Sequence, residues 1–249
     1  MCNWIQDVEN EAQLSTHLQT KYSLPVSPTW LNSFLASTQQ HRTVPLSALT
    51  QTAHFRLLAS DFRDSLTTET ASSLLPTDIF DPTVQERRLQ GPIPVQVLDI
   101  DDIGTSLWSQ VEAIERVERG EAVRGREIVR TVNVDDAEGV TRGSTTTTNA
   151  GAHESGGSNG PHRLILQDAR GTRAVGFELK SVGGFALGSM AIGAKLVLRN
   201  VTVARGMVLL TPECVTLLGG KIEALDVAWR EGRKQRLLDR VGEMERAQE

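Results

Sequence analysis

The sequence predicts an α+β protein: an N-terminal helical bundle packed on a small β-barrel, a long loop inserted in the barrel, and a C-terminal helix. Three observations carry this reading. Apolar residues recur at helical spacing through the first 75 residues. From Val95 onward they switch to the short alternating runs of strands. A polar tract of 22 residues, Gly139 to Gly160, with six Gly and eight Ser or Thr, then falls after the first strand rather than between helices and strands.

In chain order, Ile5, Val8, Ala12 and Leu14 predict a short amphipathic helix. The stretch VSPTWLNSFLAS offers Ser27 as a cap and Pro28 at the first helical position, with Trp30, Phe34 and Leu35 on one face. Leu46, Leu49, Ala53 and Leu57 repeat at helical spacing in the next segment. Residues 1–75 therefore read as the bundle. Pro76, Pro82, Pro92 and Pro94 break helices and mark a connector over 76–92.

The barrel is expected over 93–220. In PVQVLDIDDI, Val95 and Val97 share one parity and Leu98 and Ile100 the other, so the strand must bulge midway to keep its apolar side inward. SLWSQVEAIERVE reads as a helix with Trp108, Val111 and Ile114 on its apolar stripe. Strands resume at HRLILQ, followed by RAVGFELKS with Val175, Phe177 and Leu179 alternating as core, AKLVLRNVTV and GMVLLTPECVTLL. QDARGTR is a hairpin signal, with Asp168 opening the turn and Gly171 supplying a positive φ. About five short strands predict a small closed barrel. The later strands cannot close without the one before the tract, which makes 118–161 an insertion within one domain; a separate sheet over 162–220 is the alternative. In the tail, 221–249, Ile222, Leu225 and Trp229, then Leu237, Val241 and Met244, form helical stripes interrupted at Gly232.

Composition narrows the function classes. The chain has 249 residues, 39% hydrophobic and 23% charged, which is ordinary globular usage and allows a sizeable core. No run approaches a membrane span and the N-terminus lacks a secretory pattern, so neither a membrane nor a secreted protein is expected. Cys2 and Cys214 stand at opposite ends, which argues against a disulfide framework and for a reducing compartment. Net charge is −5, distributed as −3 over 1–92, −4 over 93–117, −2 over 118–161, +4 over 162–220 and 0 over 221–249. No segment carries the basic excess that a long nucleic-acid track requires.

Motifs for chemistry fail on context. GGSNG at 156–160 matches the serine-hydrolase elbow, but Ser158 has Gly/Ser-rich coil on both sides rather than a strand and a helix. GSMAIGAKL from Gly188 resembles a phosphate loop, yet Ala194 and Leu196 stand where Lys and Ser/Thr are needed. Asp99, Asp101 and Asp102 could hold a cation, but nothing completes the site, and His17, His41, His54, His153 and His162 show no ligand spacing. No enzyme, cofactor or metal is expected. Single-strand binding needs aromatics along a basic groove. The barrel segments offer Trp108, Phe177 and Phe185, with Phe177 expected in the core, and their charges sum to zero.

Several stretches together resemble the N-terminal half of the RecQ-mediated genome instability protein 1 family. LPVSPTWLNSFL and FRLLASDFRDSL resemble its helical signatures, LLPTDIFD its connector, and PVQVLDIDDIGTSLWSQVEAI its first strand and helix. HRLILQDARGTRAVGFELK and GAKLVLRNVTVARGMVLLTPECVTLLGGKIEAL resemble the remaining strands and the run into the last helix. The resemblance implies an OB-fold barrel and a non-catalytic partner of topoisomerase III, a type IA enzyme, and of a RecQ-family helicase, acting in the nucleus. It implies that the inserted loop docks at the topoisomerase gate and promotes decatenation and double Holliday junction dissolution. The loop's Gly/Ser/Thr richness departs from other members. On the same grounds Val123, Ile128, Val129 and Val132 are the expected apolar anchors of the loop. Lys195 matches the family's barrel lysine at the topoisomerase surface, and as a strand-initial Lys beside Gly193 and Ala194 it is expected to be exposed, with a merely solvated edge lysine as the alternative. An OB-fold module for single-stranded nucleic acid is the alternative.

Overall fold

The computed structural model describes residues 2–38, 45–121 and 160–247. Helices α1 (Cys2–Tyr22), α2 (Pro28–Thr38) and α3 (Leu46–Ala59) enclose the first core, and a single turn, α4 (Phe62–Ser65), closes it. The first helix is longer than its weak periodicity predicts, and its buried leucines are Leu14 and Leu18. As predicted, α2 starts at Pro28; its buried face is Leu31, Phe34 and Leu35, with Trp30 only half-buried. On α3, Ala53 and Leu57 are buried, and the buried Thr50 hydroxyl donates to the Leu46 carbonyl at 2.8 Å, so its polarity costs little there.

Eight strands follow among the described residues: β1 (Glu86–Leu89), β2 (Ile93–Asp102), β3 (His162–Gln167), β4 (Arg173–Glu178), β5 (Lys195–Leu198), β6 (Val201–Ala204), β7 (Met207–Leu210) and β8 (Val215–Gly219). Helix α5 (Leu107–Glu118) follows β2, and α6 (Glu223–Arg246) follows β8. The sheet order is β1-β6-β7-β4-β3-β2-β5-β8, with β4 and β7 parallel. Only Arg199 and Asn200 join β5 to β6, which stand near opposite ends of that order, so the sheet must curl on itself as an OB-fold does. The strand count exceeds the expected five because AKLVLRNVTV and GMVLLTPECVTLL each break in two, the first at Asn200 with φ +49°, and because the proline-rich connector carries β1 on the sheet edge.

The bulge predicted in β2 lies between Val97 and Asp99. Before it Ile93, Val95 and Val97 join the barrel core; after it Ile100 does. At QDARGTR the Asp168 carboxylate accepts from Arg170 and Thr172 N–H, and Gly171 takes φ +92°, as the hairpin signal predicts. Two expectations are corrected. In β4 the buried residues are Ala174, Gly176 and Glu178, while Val175, Phe177 and Leu179 lie on the outer face. The interior there is already filled: a Cβ on Gly176 would sit 2.8 Å from a Leu210 methyl. Helix α6 runs unbroken through Gly232, burying Trp229, Leu237 and Val241 but leaving Met244 exposed, and Trp108 of α5 is likewise exposed.

The helical bundle is fastened to the barrel through Gln96. Over its first five residues β2 is buried on both faces, so Gln96 points away from the barrel core and under the bundle. Its Nε2 donates to Asp61 Oδ1 at 2.9 Å and Gln167 Oε1 at 3.1 Å, and its Oε1 accepts from Phe62 N–H and Lys195 Nζ, both at 3.0 Å. Gln167 and Lys195 are its register partners on β3 and β5. Lys195 is fully buried, which corrects the expectation of an exposed contact: β5 is flanked by β2 and β8, and the bundle covers its outer side. The ammonium stands 4.6 Å from the Phe62 ring centroid. Burial lowers its pKa from 10.5 to about 7, opposed only partly by the charge of Asp61. For Asp61 itself, burial raises the pKa, but hydrogen bonds from Arg63 and Gln96 outweigh it and keep the carboxyl below its usual range.

This joint makes stability depend on pH with a definite sign. Between about 7 and 10.5 the unfolded chain holds a proton on Lys195 that the folded chain lacks, so stability rises with pH, by at most about 1.4 kcal/mol per unit. Below about 7 both states are protonated, and the cost of the buried charge is fully present. Urea titrations between pH 6 and 10 should show this rise in the parent and its loss in Lys195→Met, which should also gain stability at pH 6 by about 1–3 kcal/mol. Equal slopes in the two proteins would remove Lys195 as the cause. Gln96→Leu should cost about 2–4 kcal/mol, because it strips partners from the Phe62 N–H, Lys195 and Gln167 at once. Hydrogen exchange should show α4 losing protection first.

Candidate protein-docking surface

The outward parity of β4 sets a contiguous apolar strip on the barrel. Register places Val175 between Ile165 of β3 and Met207 of β7, and Phe177 between Arg163 and Leu209. Leu179 continues the strip, its N–H donating to the Leu210 carbonyl at 2.9 Å. Leu179 is 63% and Met207 38% exposed; Ile165, Val175, Phe177 and Leu209 are half-buried. Their inward neighbours Leu164, Leu166, Ala174, Val208 and Leu210 belong to the barrel core, so the strip rests on rigid backing.

The strip runs to the point where the chain returns from the insertion. β3 begins at His162, beside the end of β2 and the end of β4, and Ile103, 45% exposed, donates its N–H to the Pro161 carbonyl at 3.0 Å. This root is pinned from inside. Glu178 Oε2 accepts from His162 N–H at 3.0 Å and lies 2.5 Å from His162 Nδ1, while Oε1 accepts from Val182 N–H at 2.7 Å. Asp102 accepts from Gly104 N–H, Thr105 N–H and the Thr105 hydroxyl. The outgoing limb is equally held: Gln110 of α5 donates to the Asp102 and Thr105 carbonyls and accepts from Arg233 of α6, and Lys234 bridges Glu115 and Glu118.

The acidic run, which the sequence makes a solvated strand edge rather than a cation site, is held by protein partners. Asp99 accepts from the Trp229 indole N–H at 2.6 Å, and Asp101 pairs with Arg163 and Arg240. Among the described residues no group of three or more His, Cys, Asp or Glu is placed to hold a metal ion. No helix there is long and apolar enough to cross a membrane. Val123, Ile128, Val129, Val132 and Ser158 lie outside the described residues. Lys195 belongs to the joint beneath the bundle, away from this strip, so it has no exposed ammonium with which to meet a partner. Sequence reasoning missed Ile103, Leu179 and Met207 as surface residues; the available signal was Ala174 and Gly176, whose small size at the opposite parity marks the crowded side.

Two family models match the chain: "RMI1, N-terminal helical domain" over residues 18–65 and "RMI1, N-terminal OB-fold domain" over 75–233. The RecQ-mediated genome instability protein 1 of Schizosaccharomyces pombe is 30% identical over 215 residues, spanning 86% of this chain and 88% of that protein. Most of the helical bundle and the curled OB-fold sheet fall within the matched ranges, and the chain belongs to the RecQ-mediated genome instability protein 1 family.

Proposed function

We propose that this chain is a non-catalytic scaffold subunit that binds topoisomerase III through the OB-fold and the inserted loop. In this reading it acts in the nucleus with a RecQ-family helicase, in decatenation and double Holliday junction dissolution. Family membership supports the genome-stability setting. The observation that carries the mode of action is the apolar strip at the root of the insertion. Its residues are aliphatic or Met except for Phe177, so it offers protein side chains a flat apolar seat but gives bases a single ring to stack on. The near-neutral barrel supplies no compensating phosphate track. A nucleic-acid-binding OB-fold is therefore the weaker reading.

The loop would complete the contact. Val123, Ile128, Val129 and Val132 are its candidate anchors, and a partner that buries them gains their apolar area. The pinned roots on both limbs would hold the loop in a fixed direction relative to the barrel face.

The test uses purified topoisomerase III and the full chain. Leu179→Ser with Met207→Ser should weaken the complex by roughly tenfold or more while leaving the melting temperature nearly unchanged, since both side chains are exposed. Removing 118–161 should leave the barrel folded and keep part of the binding, yet abolish stimulation of decatenation. Alanine at the four loop aliphatics should reproduce the loss, whereas shuffling 139–160 should be nearly silent. Full activity of the deletion would refute action through the loop. Tight, steeply salt-dependent binding of single-stranded DNA by the chain alone would favour the nucleic-acid reading.

A further inference from the structure

We infer that the groove between α2 and α3 is a docking site for a short segment of a partner protein that carries an aromatic or aliphatic anchor beside an acidic residue. The groove is formed by the helical bundle alone and encloses about 400 Å³, room for two or three side chains. Its floor is Phe34, 3% exposed, on which Trp30 stacks with ring centroids 5.5 Å apart and planes within 1°. Its wall is Phe55, which leaves 74% of its surface in water although the same helix buries Ala53 and Leu57. A phenylalanine so placed contributes nothing to the bundle core; its apolar surface gains only when something covers it.

Charge selects the occupant. Among the described residues Arg56 is the one charged residue lining the groove. Its guanidinium stands 5.3 Å from the Phe34 ring centroid and donates to Ser37 Oγ at 2.9 Å, and no carboxylate lies within ion-pair distance of it among the described residues. An apolar anchor seated on Phe34 and Phe55 would take water from this cation, so the occupant must bring its own anion to replace that hydration. Ser33, Ser37 and Ser60 on the rim can take its backbone polar groups. A nucleic acid is a poor fit, because one arginine neutralises one phosphate.

Panning a displayed library of short random peptides on the full chain, with the Phe55→Ser chain as counter-target, tests this. Enriched peptides should carry Phe, Trp or Leu within one helical turn of Asp or Glu. Synthetic copies should bind the parent and lose roughly tenfold, the worth of one anchor or charge pair, on both Phe55→Ser and Arg56→Glu. Swapping the peptide's acid for Lys should abolish binding to the parent and restore it to Arg56→Glu. Both residues are exposed, so the variants should keep the parent's circular dichroism and melting temperature. Enrichment equal on parent and Phe55→Ser, indifference to the acid-to-Lys swap, or self-association of the parent that Phe55→Ser abolishes would each overturn the assignment. None of these outcomes bears on topoisomerase binding by the barrel.

Discussion

The relation between bundle and barrel depends on one amide. Gln96 has two N–H donors and two acceptor positions on its oxygen, and all four are used, toward Asp61, Gln167, Phe62 and Lys195. Those partners come from the turn that opens α4 and from two strands, so this one side chain ties the bundle to three places at once. An apolar residue here would bury as well but would tolerate sliding; four directed bonds do not. Asp61 extends the node outward, capping α4 through the Arg63 N–H and pairing with the Arg63 guanidinium. A second buried carboxylate, Asp168, does similar work nearby by accepting from the Leu75 N–H at 2.9 Å, and Arg199 reaches Ser23.

The same economy recurs at the insertion. A long polar segment attached to a soft site would sweep a large volume, and its entropy on binding would be correspondingly unfavourable. Here both limbs leave from stiff structure, the outgoing one from a helix pinned to α6 and the returning one from a strand whose first residue is held by buried Glu178. The positions and directions of both ends of the insertion are thus set by packed structure outside it.

Much of this was legible in the sequence, for identifiable reasons. Pro28 at a helix start, the parity conflict at Val97 to Ile100, and Asp168 with Gly171 are local constraints that few alternative structures satisfy, and each appears as read. The misreadings share a different origin. Val175, Phe177 and Leu179 alternate like core residues, but which parity faces inward is decided by Leu166 and Leu210 on neighbouring strands, which sequence order does not place together. Lys195 reads as a surface residue because lysines usually are. Its burial follows from a bundle more than a hundred residues earlier lying across β5. The Gln96 node was invisible for the same reason, since a glutamine in a strand carries no sign of four partners. Helix α6 ran through Gly232 because tertiary packing at Trp229, Leu237 and Val241 outweighs about 1 kcal/mol of propensity.

These pieces explain why the exposed strip lies where it does. An OB-fold sheet has an outer face all round, and each sector must be covered or left to solvent. Near β5 and the start of β2 the bundle covers it through Gln96 and Lys195. Beyond the bulge, where Asp99 and Asp101 turn outward, α6 covers it through Trp229 and Arg240. On the outer face of β3, β4 and β7, Ile165, Val175, Phe177, Leu179, Met207 and Leu209 form an apolar group bordered by Arg163 and Arg173, in place of the polar set that alternation would put on a solvated face. A sector that is exposed or half-buried among the described residues, largely apolar, backed by a packed core and adjacent to the return of the insertion has the physical properties of a docking surface.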